Sequence, residues 1–340
     1  MNLLAIIPCL NEAANLDRLI RQLLADRSVD LIVVADGGSS DGSREIVTLY
    51  ENSGERVRLL DNPGRIQSAG VNLAVRRFGD GVTWLLRVDA HCEYPEGFAS
   101  LVVKAASAQC ATAVAVPMIT QGKSGFQSAV AAAQNSVLGT GGSAHRHVGI
   151  GRFVDHGHHA LIDRALFENV GGYCEAMVCN EDAEFDRRQT DAGGRIWLEP
   201  KAAITYFPRE TPGALWRQYF RYGIGRARTV RRHSMRMHLR QAIPLAVPLA
   251  LVVALLAPLH WIFSIPAILW LFVCLVVGAV IGLRSTGIWG LATGIAAAIM
   301  HLAWAIGFLI EWLMPAGDTG PRYGFHPSPA ETGTRDGLAA

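Results

Sequence analysis

Leu31-Ile32-Val33-Val34-Ala35 runs straight into Asp36-Gly37-Gly38-Ser39-Ser40-Asp41-Gly42-Ser43, and the reading of this junction decides the fold. Five apolar residues in a row suit a parallel strand buried on both faces. The acid and the Gly/Ser turn behind them put a carboxylate at the strand's carboxyl end, where open α/β sheets bind ligands. Gly42 and Ser43 would open the next helix, whose free N–H groups favour an anion. The same residues also suit a turn acid and a helix cap. A second pattern, Trp84-Leu85-Leu86, leads into Arg87-Val88-Asp89-Ala90-His91 and places another acid at a strand end. One aspartate would hold a nucleoside and the other a cation on its diphosphate.

On either side of this junction, apolar strands alternate with helical patterns up to about residue 210, as in an α/β sheet covered by helices. Strands are predicted over 3–8, 31–35, 57–60, 84–88, 112–116, 196–198 and 203–207. Between them, Asn11-Glu12 opens a helix with Leu16, Leu19, Ile20, Leu23 and Leu24 on one side, and further helices cover 43–50 and 67–78. No GxGxxG follows the first strand, which disfavours a hydride-transferring dinucleotide enzyme.

Half of the 340 residues are hydrophobic, and they concentrate at the C-terminal end. Residues 243–262, 265–283 and 288–313 approach or exceed the length needed for a hydrocarbon core of roughly 30 Å, so three transmembrane helices are predicted. No Asp or Glu occurs from Thr211 to Ile310, whereas helices of a soluble domain need a polar face. Pro244, Pro248 and Pro258 leave a re-entrant hairpin as the alternative for the first span. Gly278 with Gly282, and Gly290 with Gly294, have the spacing of close helix packing.

Arg217, Arg221, Arg226, Arg228, Arg231, Arg232, Arg236 and Arg240 precede the first span and suit anionic lipid headgroups on the cytoplasmic side. Their membrane neighbour argues against nucleic acid. No secretory signal opens the chain, so the expected layout is a cytoplasmic catalytic domain over 1–211, a basic interfacial region over 212–241, and spans over 242–314. A polar tail over 315–340 would then end outside, disordered.

Six cysteines without a CxxC pair look like reduced thiols, Cys174 and Cys179 included. His156-Gly157-His158-His159, with His145 and His147 upstream, has zinc-like spacing but no matching Cys or carboxylate set, and reads better as a loop near the acceptor or phosphates.

Five ordered motifs resemble the family 2 glycosyltransferases of GT-A fold: Ile6-Ile7-Pro8-Cys9-Leu10-Asn11-Glu12, Asp36-Gly37-Gly38-Ser39-Ser40-Asp41-Gly42, Asp89-Ala90-His91, Glu181-Asp182, and Gln218-Tyr219-Phe220-Arg221-Tyr222. Gly171-Gly172-Tyr173 is similar to a turn that the family carries before its ED motif. Arg87 to His91 together with Trp216 to Gly223 ahead of membrane spans resembles the succinoglycan-assembly branch. The resemblance implies a GT-A nucleotide-diphospho-sugar fold with a C-terminal transmembrane helical region. It also implies donor contacts at Pro8, Asn11, Glu12, Asp36, Gly38, Asp89, Gln218 and Arg221, with Arg65, Gln67 and Asn72 bordering the nucleotide.

The chemistry follows from the leaving group. A departing nucleoside diphosphate needs a divalent cation and basic groups. Asp89 would ligate Mg2+ or Mn2+; His91 stands where the family has a second Asp, favours Mn2+ as a ligand, or hydrogen-bonds the phosphate instead. Gln218 and Arg221, three apart on a helix, share a face, and Arg221 offers a fork for diphosphate oxygens. Inverting transfer needs one base for the acceptor hydroxyl. The resemblance assigns that role to Asp182, with Glu181 near the acceptor or bracing the loop.

The reading is therefore a membrane-bound inverting hexosyltransferase acting singly on a lipid-linked polyprenyl diphosphate acceptor in exopolysaccharide assembly. A polyprenyl-phosphate glycosyltransferase and a non-catalytic subunit of a polysaccharide synthase are its alternatives.

Overall fold

The computed structural model describes residues 2–143, 146, 148–177, 179–237, 239–315, 320 and 322–325. His145, His147 and the tail beyond residue 325 lie outside them. The strands are β1 (Leu3–Cys9), β2 (Leu31–Asp36), β3 (Val57–Asp61), β4 (Trp84–Arg87), β5 (Cys92–Glu93), β6 (Ala113–Val116), β7 (Met118–Thr120), β8 (Arg152–Val154), β9 (His158–Asp163), β10 (Ile196–Leu198) and β11 (Ile204–Tyr206). The α-helices are α1 (Ala13–Ala25), α2 (Ser43–Asn52), α3 (Gln67–Phe78), α4 (Phe98–Gln109), α5 (Gly125–Gln134), α6 (Val137–Thr140), α7 (Arg164–Asn169), α8 (Glu181–Asp191), α9 (Pro212–Arg232), α10 (Leu239–Ala242), α11 (Ala246–Ala254), α12 (Ile265–Thr286) and α13 (Thr293–Leu313).

Eight strands form one mixed sheet in the order β3-β2-β1-β4-β9-β6-β10-β8. β1 and β2 pair in parallel from Leu4↔Leu31 to Cys9↔Asp36, and β4 joins the other side of β1 in parallel. The strand order turns back between β1 and β4, and the crevice at such a reversal is where open sheets take ligands. Buried residues of α1, among them Leu16, Leu19, Ile20 and Leu23, pack on one face of the sheet. Val71, Ala74 and Val75 of α3 pack on the other, with Phe167, Tyr173 and Phe185.

β9 is a correction. Its first two residues belong to the segment 156–159, read from sequence as a loop, and no strand is predicted over the rest, yet it runs antiparallel between β4 and β6 in the middle of the sheet. His158 and His159 head it and mask a short apolar run, Ala160-Leu161-Ile162, that is fully buried.

The C-terminal helices also differ from three separate spans. One helical stretch, Trp261–Leu313, is long and apolar enough to cross a membrane, with mean hydropathy 2.6 and 17% of its most apolar window buried. The first expected span holds only a shorter apolar helix, Ile243–Ala254, which the 3-10 turn at Ile243–Leu245 and the prolines break up. Within Trp261–Leu313 the chain doubles back. A Cβ on Gly278 would stand 2.3 Å from Gly294 Cα, and one on Gly282 2.3 Å from Gly290 O, so only glycine lets α12 and α13 meet this closely.

α13 in turn lies along α9, where a Cβ on Gly223 would strike the Trp304 carbonyl at 2.0 Å and one on Gly307 the Phe220 carbonyl at 2.1 Å. Trp216, Phe220 and Tyr222, expected as interfacial anchors or packing, are partly buried in this helix cluster.

The ends of the apolar region lie together. Behind α9, His233 Nε2 is 3.1 Å from Glu184 Oε1 of α8; beyond α13, the Arg188 guanidinium of α8 stacks 4.5 Å from the Tyr323 ring centre. The chain therefore leaves and rejoins the sheet domain on one side. Three crossings are not supported, since one stretch alone among the described residues is long and apolar enough to span, and residues 322–325 of the expected polar tail are docked on the sheet domain.

The basic run is re-read for the same reason. Arg228 Nε is 3.1 Å from Glu311 Oε1, Arg231 Nη1 is 3.7 Å from it, and Arg232 Nη1 is 4.0 Å from Glu184 Oε1. These arginines bind α9 to its neighbours instead of serving lipid headgroups alone.

Candidate active site

The loops after β1 and β2 interlock. Asn11, in the left-handed region at φ 57°, accepts from Ser40 N (2.9 Å) through Oδ1, while its own N–H donates to Ser39 Oγ (2.8 Å). Glu12 N donates to Ser43 Oγ at 2.9 Å. Asp36 Oδ2 accepts from Gly38 N (3.0 Å), Ser39 N (3.1 Å) and Arg44 Nη1 (2.7 Å), leaving Oδ1 with a single 3.3 Å contact. Burial raises the Asp36 carboxyl, but the Ser39 and Arg44 hydrogen bonds outweigh it and hold the group below its ordinary range. A Cβ on Gly38 (φ 93°) would stand 3.8 Å from Arg65 Nη2, so the Arg65 guanidinium borders this loop cluster. Pro8, Asn11, Glu12, Asp36, Gly38 and Arg65 thus share the sheet's carboxyl edge, beside the main cavity rather than on its wall.

A hinge between the two regions is His91, whose Nδ1 is 3.0 Å from Glu12 Oε1. Asp89 Oδ1 accepts from Gln67 Nε2 at 2.9 Å and lies 3.7 Å from Arg87 Nε; Oδ2 lies 3.7 Å from His158 Nε2. Burial would raise Asp89, yet the Arg87 guanidinium beside it, with His91 and the Gln67 hydrogen bond, holds it below its ordinary value. Burial pushes His158 down to about 4, so its imidazole is neutral at pH 7. Ligand atoms of Asp89, His91 and Cys92 lie within 4.8 Å of one another. Burial raises the Cys92 thiol far above neutrality, which keeps it protonated and leaves the carboxylate and the imidazoles as donors for a hard cation.

Glu181 and Asp182 open α8 behind Asn180, itself left-handed at φ 60°, and the helix N-terminus favours their negative charge. Arg87 Nη2 is 3.4 Å from Glu181 Oε1. Burial pushes Glu181 up to about 7 in spite of Arg87. Asp182 goes the other way: the positive fields of His156, His159 and Arg87 overcome its burial and hold it below its ordinary value. Two adjacent carboxyls driven apart in this way suit separate roles. Among the described residues Asp182 Oδ1 accepts only its neighbour's Ala183 N–H (2.8 Å), which leaves lone pairs of the carboxylate open to a ligand.

One turn further along α8, buried Asp186 accepts His156 Nδ1 and His159 Nε2, both at 2.6 Å. His159 Nδ1 is 2.6 Å from the Tyr173 hydroxyl, which accepts from Arg87 Nη1 at 3.4 Å. Asp186, His159, Tyr173 and Arg87 thus form one polar line beneath Asp89 and Glu181. Sequence reasoning missed these four as site residues. Arg87 was in plain view two residues before Asp89; the spacing of His156 and His159, three apart on a segment read as loop, gave no signal for Asp186 thirty residues on. His156 and His159 hold the Asp186 carboxylate, and His158 lies beside that of Asp89. Asn72, expected to border the nucleotide, is buried and clamps Tyr173 instead, accepting its N–H (2.9 Å) and donating to its carbonyl (2.8 Å).

A cavity of about 1410 Å³ joins Gln67, Asp89, His91, Glu181, Asp182, Gln218 and Arg221 on one wall. Gln218 Nε2 donates to the hydroxyls of Tyr206 (2.9 Å) and Tyr222 (3.1 Å), while its buried Oε1 has no partner among the described residues. Arg217 and Arg226 also face the cavity, which continues to Leu269, Trp270 and Trp304 of the apolar helices.

Parallel strands delivering acids to one crevice, under a cavity lined by carboxylates and arginines, define a nucleotide-sugar type of transferase site. Residues 4–171 match the family described as Glycosyl transferase family 2, and residues 104–316 match Glycosyl transferase family group 2. The chain belongs to the family 2 glycosyltransferases and is a glycosyltransferase of GT-A fold. It is 45% identical over 312 residues to the succinoglycan biosynthesis protein ExoA of Rhizobium meliloti (strain 1021), covering 91% of this chain and 94% of that one. Its fold is similar to that of the mannosyltransferase PcManGT from Pyrobaculum calidifontis in complex with GDP-Man and Mn2+, with a TM-score of 0.62, 16% identity, and 93% and 88% of the two chains covered.

Proposed function

We propose that the protein is a membrane-bound inverting glycosyltransferase that moves a hexose from a nucleotide-diphospho-sugar to a lipid-linked, polyprenyl diphosphate oligosaccharide, one sugar per acceptor, in assembly of a succinoglycan-like exopolysaccharide. The observation that carries this reading is the single cavity that runs from Asp182 and Asp89, past Arg217, Arg221 and Arg226, to Leu269, Trp270 and Trp304. A soluble acceptor needs no such path. A phosphate-bearing headgroup beside the arginines and an apolar chain against the helices match it from end to end. The exposed apolar stretch Trp261–Leu313 supports membrane association, and the ExoA relative supports the polysaccharide class.

In this reading the donor lies across the β1/β4 crevice, with the loop of Pro8, Asn11, Glu12, Asp36, Gly38 and Arg65 at its nucleoside and Gln67, Gln218 and Arg221 toward its diphosphate. Asp89 and His91 would hold a Mn2+ or Mg2+ ion, which when bound neutralises charge on the leaving diphosphate. Glu12, hydrogen-bonded at His91 Nδ1, fixes the ring and would leave Nε2 as the donor to such an ion. His158, beside Asp89, is an added donor. Asp182 takes the proton of the acceptor hydroxyl as its oxygen bonds to the anomeric carbon from the face opposite the diphosphate, whose bond to that carbon breaks. Glu181, pushed up to about 7 by burial, keeps a protonated fraction near neutrality that braces the acceptor by donating a hydrogen bond.

The test is transfer of radiolabel from UDP-, GDP- and TDP-sugars by the full chain in nanodiscs, with Mn2+ or Mg2+ and either polyprenyl phosphate or a polyprenyl diphosphate glycan. Label in the glycan supports the reading; label on polyprenyl phosphate alone moves it to a lipid-linked sugar donor synthase; label on neither overturns it.

A further inference from the structure

The segment behind α13 returns to the sheet domain and lies across the turn that precedes α8. Glu175 N donates to Arg322 O (2.7 Å), Tyr323 forms an antiparallel bridge with Cys174, and Phe325 N donates to Gly171 O (3.1 Å). Three backbone links in four residues hold the turn along its length. The turn is built to receive them. Gly171 and Gly172 have φ of 92° and 70°, and a Cβ on Gly172 would stand 2.9 Å from Phe325 Cδ2 and 2.6 Å from Asn72 Oδ1. Gly324 has no room for a side chain either, because its Cβ would meet Asn72 Cγ at 2.3 Å. The paired glycines therefore do more than reverse the chain.

Phe325 also packs edge-on against Phe167 (5.9 Å between ring centres), which touches both Tyr173 (5.4 Å) and Phe185 of α8 (5.3 Å). Arg188 closes the other side: it stacks on Tyr323, donates to Gly172 O (2.7 Å), and pairs with Glu184 (2.7 Å). The strap thus contacts the turn and, through one aromatic layer, the helix that carries Glu181 and Asp182.

We propose that Tyr323-Gly324-Phe325 is a positioning strap for the transfer reaction: it pins the Gly171–Tyr173 turn so that the Tyr173 hydroxyl keeps Arg87 between Asp89 and Glu181, tying the order of the site to the end of the apolar helices. The proposal rests on the reading of Asp89, Glu181 and Asp182 as the groups that meet the substrates. Loss of the strap leaves the donor loop around Asp36 untouched, since among the described residues the strap contacts given above do not reach that loop, and loosens the geometry of the acids Asp89, Glu181 and Asp182. Its effect belongs in kcat more than in donor KM.

The experiment uses the full chain in nanodiscs with Phe325→Ala, Phe325→Leu and Gly324→Val. Amide hydrogen exchange and steady-state kinetics are read on each variant that keeps a cooperative melt. For Phe325→Ala, exchange rises in 170–175 and 181–186 but not in β1, kcat falls roughly tenfold or more, and donor KM moves by less than about threefold. Phe325→Leu restores kcat to within about threefold by refilling the aromatic layer. Gly324→Val repeats the Phe325→Ala pattern by lifting the strap off Asn72. Unchanged exchange at 170–175 in Phe325→Ala, or a fall in kcat that Phe325→Leu shares in full, overturns the strap. The exchange result stands apart from the catalytic reading, which fails separately if Asp182→Asn keeps its rate.

Discussion

Arg87 and Glu181 face each other at 3.4 Å, both nearly buried, in a cavity wall that also holds Asp89. Burial is the larger influence on Glu181 and carries it from an ordinary 4.5 to about 7, against the pull of the guanidinium. Because the folded state then holds this proton more tightly than the unfolded chain does, Glu181 lowers stability progressively as pH rises from about 4.5 through 7. Glu181→Gln removes that loss. Thermal melts of the variant and the parent coincide near pH 5, and the variant gains about 2–4 °C over the parent by pH 8. A gap that is the same at both pH values contradicts the assignment.

Asp182→Asn keeps the shape of the site and removes the proposed proton acceptor. Nucleotide titration by calorimetry gives an affinity close to the parent's, whereas sugar transfer falls by about a hundredfold or more. Equal transfer rates take Asp182 out of the reaction.

His91→Asp exchanges an imidazole for a harder oxygen donor. Relative activity in Mg2+ against Mn2+ then rises by about tenfold, since carboxylates suit Mg2+ and imidazole favours later first-row metals. The ratio is measured in one donor-saturated assay with each ion in turn, and a ratio unmoved by the substitution separates His91 from the cation.

Glu311 receives Arg228 and Arg231 from α9 in a pocket that exposes only 5% of its side chain. Glu311→Gln leaves two guanidiniums without their shared anion where α9 meets α13, and costs about 2–4 kcal/mol of stability. Chemical denaturation of the full chain in detergent reads this directly. Transfer falls with it, because α9 also carries Gln218 and Arg221 into the cavity.

The parallel core was legible in the chain because its strands are continuous apolar runs with an acid or a turn at the carboxyl end, as in residues 31–36 and 84–89. Such a run has few places to go other than the middle of a sheet. β9 was not legible, since its first two residues are histidines whose partners, Asp89 and Asp186, lie far off in sequence. Three separate spans are not supported, for a related reason. Hydropathy counts apolar residues but does not register that Gly278 meets Gly294, that Gly223 meets Trp304, or that Glu311 closes the apolar run on two arginines of α9.

What the sequence by itself determined is the parallel edge of the sheet and the acids at its strand ends, Asp36 and Asp89, which are local properties of the chain, while Glu181, Asp182 and Arg221 are candidates that the family resemblance supplied. Tertiary structure alone decided that Glu181 and Asp182 carry opposite shifts, that Arg87 stands between two carboxyls, and that the chain's last described residues come back to brace the turn before α8. Each of those depends on burial and on charges brought together from distant segments, and an electrostatic field inside a protein is a sum over neighbours in space, whatever their order along the backbone.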